Sequence, residues 1–325
     1  QAFYDSYKQI APSAADLAPI KKGINEKYLN RVKNAQSTYD SMITAIDNSQ
    51  AVIEILDARD PYSFRFLDIE GEAQTQNKPL IFLINKIDLV PQNVVQKWIE
   101  ALTPTAPTFA VCLSQPETCV DLINFAIATY CPNAENIAVV GAPEVGKTTL
   151  CNLITDKHIV DTEKWLWTLC GNSLGLTNSV PWRGRVREFV VDTFERLAND
   201  AIFSLLSLPK QDSIGNLFAD YAKKNGLSKQ EVPEFIMNKF IGNEWKWYAD
   251  APEIEQSETE FQFHELQQKA FAPCPKDTET IYIILGPGTT VQMDRKALEF
   301  QIPEEEQSSD VSDDQDEEEE EQAEE

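Results

Sequence analysis

Gly141 and Gly146, with four residues between them and followed at once by Lys147 and Thr148, spell G-x-x-x-x-G-K-[ST]. Glycine at both ends lets the backbone curl so that its N–H groups wrap a phosphate. A lysine placed there reaches the β- and γ-phosphates, and a threonine hydroxyl suits Mg²⁺. The apolar run Ile137–Val140 precedes the loop and a helical pattern follows it, so the positive end of a helix dipole faces the same anion. Gly141, Ala142, Pro143, Glu144, Val145, Gly146, Lys147, Thr148 and Thr149 therefore form a candidate phosphate-binding segment.

A second pattern, Asn85-Lys86-Ile87-Asp88, follows the apolar run Leu80–Ile84 and matches N-K-x-D. A carboxylate at Asp88 can accept two hydrogen bonds from the N1–H and exocyclic amine of guanine, whereas adenine presents an acceptor at that edge and leaves the charge unpaired. Ser114, closing the run Thr108–Leu113, reads either as a further base-side contact or as an ordinary strand-ending serine.

The elements that must hold these motifs alternate. Ala51–Leu56, Leu80–Ile84, Thr108–Leu113, Ile137–Val140 and Glu188–Val191 are short, apolar and rich in branched residues, the pattern of buried strands. Helical periods fill 91–102, 117–130 and 147–156, and an amphipathic helix is expected over 28–48. Strand and helix in alternation predict an α/β fold with a parallel sheet covered on both faces. The base-reading motif precedes the phosphate loop, the reverse of an ordinary GTPase, so the chain is predicted to be circularly permuted, which closely spaced sheet ends tolerate.

Past Leu197 the periods become helical, at 214–224 and 229–240, followed by Trp245, Trp247 and Tyr248. The expected organisation is an N-terminal segment, 1–27, of a chain that starts with Gln1 and is expected to continue before it; a nucleotide-binding domain, 28–196; a mainly helical C-terminal module, 197–302; and an acidic tail, 303–325. The tail holds 14 of the 53 acids and no Lys or Arg, which leaves 39 acids against 28 bases, a net charge of −11, for the remaining residues. A segment so charged cannot form a core and is expected to be disordered. It could mimic a polyanion toward basic proteins.

A uniform basic footprint for nucleic acid is absent from a chain of net charge −25, and no DNA contact is expected. Six cysteines without a C-x-x-C pair and only two histidines, His158 and His264, argue against a zinc domain. No apolar run approaches the ~18 residues that span a bilayer.

With Leu56-Asp57-Ala58-Arg59-Asp60-Pro61, then N-K-I-D, then G-x-P-x-V-G-K-T, the chain resembles the circularly permuted ribosome-assembly GTPases. Leu174-Gly175-Leu176-Thr177 is similar to the switch I signature of their nucleolar, nucleostemin-like branch, and Asp192-Thr193-Phe194-Glu195 departs from D-x-x-G as switch II does there. The resemblance covers roughly 39–252. It implies GTP and GDP as ligands, with Asn85, Lys86, Asp88 and Ser114 at the base, residues 141–149 and Asp192 at the phosphates, and Thr148 and Thr177 on Mg²⁺. It also implies a preribosomal particle or rRNA and ribosomal or nuclear proteins as partners, no membrane, and a nuclear, nucleolar location, with mitochondrion or bacterial cytoplasm as the alternative.

Two departures bear on turnover. Glu144 stands where the family usually has an asparagine linked to potassium-assisted hydrolysis, and a carboxylate beside a triphosphate argues against activation by K⁺. Glu195 replaces a glycine whose N–H meets the γ-phosphate, and no water-orienting Gln follows Asp192. Slow hydrolysis in large-subunit assembly or nucleolar regulation is expected, the alternative being a non-hydrolysing GTP-sensing scaffold that binds nuclear proteins. Asp57, Arg59 and Asp60 read first as a turn with an internal ion pair, and the Trp245–Tyr248 aromatics as core or as a stacking platform for RNA bases.

Overall fold

The structure, a computed structural model, describes residues 43–154, 158–161, 177, 186–197, 201–211, 213–253, 262–276 and 282–286. The first 15 residues of the expected 28–48 helix, most of the switch I signature and the acidic tail lie outside them; residues 43–47 are helical.

Five parallel strands form the central sheet in the order β3-β2-β1-β4-β5: β1 (Ala51–Asp57), β2 (Leu80–Asn85), β3 (Thr108–Ala110), β4 (Asn136–Gly141) and β5 (His158–Asp161). Helices α1 (Leu67–Thr75), α2 (Gln92–Leu102), α3 (Val120–Tyr130) and α4 (Lys147–Leu153) alternate with them. Strands β1, β2 and β4 are buried almost throughout, which is why they read as continuous branched runs rather than as alternating ones. Register aligns Asp57 with Asn85 and Ile55 with Gly141. The chain leaves β1 toward β2 on one side and leaves β4 toward β5 on the other, so a topological switch point falls between the carboxyl ends of β1 and β4, where ligands of such sheets bind.

β3 is shorter than its apolar run. Val111 N still donates to the Ile84 carbonyl (2.8 Å), but Leu113 N turns to the side chain of Asn85, and the strand ends. The outer edge of β3 is covered by the buried Gln267 of α9 (Glu265–Ala270). Its amide accepts from Ala110 N and donates to Ala110 O, each at 2.9 Å, taking the place of a further strand.

The run Glu188–Val191 is not a strand. It belongs to helix α5 (Val186–Arg196), and the place beside β4 is taken by β5. Val190, Thr193, Phe194 and Leu197 are buried while Arg187 is exposed, a three- and four-residue spacing that a short apolar run cannot distinguish from a strand by composition. Helix α5 packs against α8 (Val232–Ile241), which also contacts α7 (Ile214–Asn225); α6 (Ala201–Leu206) lies between α5 and α7 in the chain.

A two-stranded parallel ribbon, β6 (Trp247–Ala249) and β7 (Ile283–Leu285), completes the described elements. It is held to α2 and to the turn after β1 through polar contacts: Trp98 Nε1 donates to Ala249 O at 3.0 Å, and Ala249 N donates to Arg59 O at 2.6 Å. Trp247 is buried, which answers the open reading of that aromatic in favour of core.

Candidate functional site

The loop expected to bind phosphate begins where β4 ends. Gly141 has φ +143°, and a Cβ there would sit 2.6 Å from the Ile55 carbonyl on β1, so only glycine keeps the two strands paired to their ends. Gly146 has φ +112°, and a Cβ would meet Asn85 Nδ2 at 2.5 Å. Between them Glu144 is exposed and left-handed at φ 60°, an unfavourable region for a glutamate and a milder one for asparagine. Helix α4 starts directly after Gly146, with Leu150 N donating to Gly146 O at 2.9 Å.

Lys147, although charged, is buried and donates from Nζ to the Ala142 carbonyl across the loop at 3.0 Å. The ammonium thus reaches back across the loop to its second residue. Thr148 and Thr149 are exposed in the first turn of α4.

Asn85 ties the second motif to the first. Its Nδ2 donates to the Val145 carbonyl at 2.6 Å, and its Oδ1 accepts from Leu113 N at 3.0 Å. One buried amide therefore fixes the phosphate loop, the end of β2 and the loop after β3 in a single arrangement. Lys86 follows in the left-handed region (φ 68°), which swings its ammonium to Asp57 Oδ2 at 3.1 Å.

Asp57 is also held by Arg59, whose Nε and Nη2 donate to Oδ1 and Oδ2 at 2.9 and 2.8 Å. Burial alone would push the Asp57 carboxyl up, but the charges of Arg59 and Lys86 and the hydrogen bonds outweigh it and hold it well below the usual carboxylate range. The internal ion pair expected of this turn is present. Arg59 further stacks over Trp247 (5.0 Å to the ring centroid) and donates to Asn243 Oδ1 at 3.4 Å. Asp60 accepts from Ser63 at 2.6 Å and from Arg196 at 3.0 Å.

Asp88 is half-buried in the turn after Lys86. It accepts a hydrogen bond from the thiol of Cys112 at 3.3 Å, and that sulfur lies 3.1 Å from Ser114 Oγ. Ser114 itself is exposed. Cys112 carried no signal in the sequence, because its contact with Asp88 depends on how the chain turns after β2 and β3. The contacts above bring together Asn85, Lys86, Asp88, Ser114 and residues 141–149. Thr177 is buried, and Asp192, which the expected strand Glu188–Val191 would have placed at a strand end, lies within α5.

The order of these parts in the sheet is that of a permuted nucleotide fold: the base-side motif is on β2 and the phosphate loop on β4. No family model matches the chain. A guanine nucleotide-binding protein-like 3 homolog of Caenorhabditis elegans is 31% identical over 161 residues, 42% of this chain and 28% of that one. Nucleolar GTP-binding protein 2 of Neurospora crassa is 27% identical over 267 residues, 68% of this chain and 43% of that one. The chain is similar to nucleolar GTP-binding proteins. It spans less than half the length of these two curated relatives. The crystal structure of GNP-bound YlqF from T. maritima is similar over 59% of this chain and 88% of that chain, at 20% identity and a TM-score of 0.43.

Among the described residues, no helix is long and apolar enough to cross a membrane, and no group of three or more His, Cys, Asp or Glu is placed to hold a metal.

Proposed function

We propose that this chain binds GTP and GDP, hydrolyses GTP slowly, and acts in large ribosomal subunit assembly or nucleolar regulation. The observation that carries the nucleotide reading is Asn85, whose amide clamps the phosphate loop to the base-side motif, so that one nucleotide can engage both. Asn85, Lys86, Asp88 and Ser114 take the base. Residues 141–149 take the phosphates, with Lys147 exchanging the Ala142 carbonyl for phosphate oxygen, and Asp192 contributes from helix α5. Bound Mg²⁺ would neutralise charge on the phosphates; hydroxyl oxygens such as that of Thr148, exposed at the start of α4, suit so hard a cation, and Thr177 is the second ligand in this reading.

The nucleolar setting and the partners, preribosomal particles or rRNA with ribosomal or nuclear proteins, rest on the names of the relatives. A GTP-sensing scaffold without turnover is favoured by one specific observation: Asp192–Glu195 lie in a helix, a poor geometry for a loop that must meet a γ-phosphate.

Calorimetric titration with Mg²⁺ plus GDP, a non-hydrolysable GTP analogue, ADP or ATP tests the nucleotide. Guanine nucleotides are expected to bind at least about tenfold tighter than adenine ones, and Lys147→Ala to lose the triphosphate. Equal affinity for ATP and GTP would refute the reading. Single-turnover hydrolysis, with and without K⁺ and preribosomal particles, separates enzyme from scaffold. Intrinsic turnover at or below roughly 10⁻⁴ to 10⁻³ s⁻¹ is expected.

A further inference from the structure

We propose that Cys112 is a positioning residue for base recognition, holding the Asp88 carboxylate in the orientation that accepts two hydrogen bonds from guanine. The inference rests on the reading of Asp88 as the guanine acceptor.

The geometry gives the chain of hydrogen bonds a direction. A thiol has one proton, and Cys112 Sγ donates it to Asp88 Oδ1 at 3.3 Å. The 3.1 Å contact between sulfur and Ser114 Oγ must then run the other way, with the hydroxyl donating to sulfur. The series is Ser114 O–H to Cys112 S–H to Asp88. The side chain is buried and its backbone is fixed: Cys112 O accepts from Gln115 N at 2.9 Å and from the Cys119 thiol at 3.5 Å. Burial, opposed by the hydrogen bond from Ser114 and reinforced by the Asp88 charge, pushes the thiol pKa up, so the donor keeps its proton at neutral pH.

A carboxylate rotates in a broad, roughly two-fold well about its last torsion. Two simultaneous hydrogen bonds to a flat base edge need one plane. A donor anchored behind one oxygen selects that plane, even though S–H is a weak donor, because the alternative orientations lose it.

The consequence is specific to the number of hydrogen bonds made. GDP offers Asp88 both N1–H and the exocyclic amine, whereas IDP offers N1–H alone. Loss of orientation therefore weakens GDP more than IDP. The test is the ratio of IDP to GDP dissociation constants for wild type, Cys112→Ala and Cys112→Ser, with Cys112→Val as the donor-free variant that refills the volume should the alanine variant fail to fold. The ratio is expected to fall about three- to tenfold in the alanine and valine variants, about one neutral hydrogen bond, and to stay within about twofold of wild type in the serine variant, which keeps a donor. A folded donor-free variant that binds both nucleotides less well by the same factor, or equally well, overturns the proposal, since a purely structural role would leave the ratio unchanged. A wild-type protein that binds ADP as tightly as GDP overturns instead the guanine reading on which it rests.

Discussion

The amide of Asn85 occupies the space that a Cβ on Gly146 would need, 2.5 Å from Nδ2. Two motifs, joined also by the hydrogen bond from Asn85 to Val145 60 positions along the chain, are thus interlocked. Gly146→Ala must both displace this amide and hold alanine at φ +112°, where an L-residue alone costs about 1–2 kcal/mol. Chemical denaturation should show a loss at least that large. GDP affinity should fall with it, and Asn85→Ala should weaken GDP without the backbone penalty.

In the proposed function, the choice of base falls to Asp88. Asp88→Asn replaces an acceptor with an amide that can donate to the additional carbonyl of xanthine, so GTP affinity should fall by at least about tenfold while XTP affinity rises. Competition binding measures both, and a variant that still prefers GTP removes Asp88 from the base site.

Much of this was legible in the sequence, for identifiable reasons. β1, β2 and β4 are buried on both faces, which forces unbroken branched runs, and the two motifs need fixed residue types at fixed spacing. What was not legible depends on three-dimensional placement. Glu188–Val191 is too short to show its helical period. Helix α1, LDIEGEAQT, buries Glu70 beside Ile69 and Ala73, so its apolar face is interrupted. The reach of Lys86 to Asp57 follows from a left-handed φ and from strand register, and that of Cys112 to Asp88 from a turn. Neither is written in local composition.

Glu54 lies in the middle of β1, fully buried. Oε1 accepts from Phe66 N at 2.7 Å, while Oε2 has no hydrogen-bond partner among the described residues. Burial, then the nearby Glu70 charge, raises its pKa well above the ordinary value. The native state therefore holds a proton that the unfolded chain releases near pH 4.3. This contribution is fully present below that pH and is lost as pH rises toward the native pKa. Glu54→Gln should stabilise the protein near neutrality and flatten the decline of stability with pH, measured by urea unfolding between pH 5 and 8. An unchanged slope would show that Glu54 is ionised in the folded protein.

The Asp57–Arg59 pair behaves in the opposite sense. Its folded pKa is depressed, so its contribution is present above about pH 4 and is lost as pH falls through the native value. Arg59→Ala leaves a fully buried carboxylate with only Lys86 beside it, and a loss of about 3–5 kcal/mol is expected by denaturation. A smaller loss than for an exposed arginine would mean that water reaches Asp57.

The same pair joins the N-K-x-D motif to residues 243–249. Lys86, on the base-side motif, touches Asp57; Asp57 holds Arg59; and Arg59 lies on Trp247 and reaches Asn243. In the proposed bound state the Lys86 side chain engages the base, which changes its pull on Asp57 Oδ2. Nucleotide can alter residues 243–249 through this series only if its contacts differ between the two arrangements. Hydrogen exchange of 243–249 is therefore expected to slow on adding GDP, and Arg59→Lys, which cannot reproduce the two-pronged contact, should abolish the difference while GDP still binds. Exchange that is identical with and without GDP in the wild type would show that the base-side motif and Trp247 are uncoupled, with the Asp57–Arg59 pair serving the fold alone.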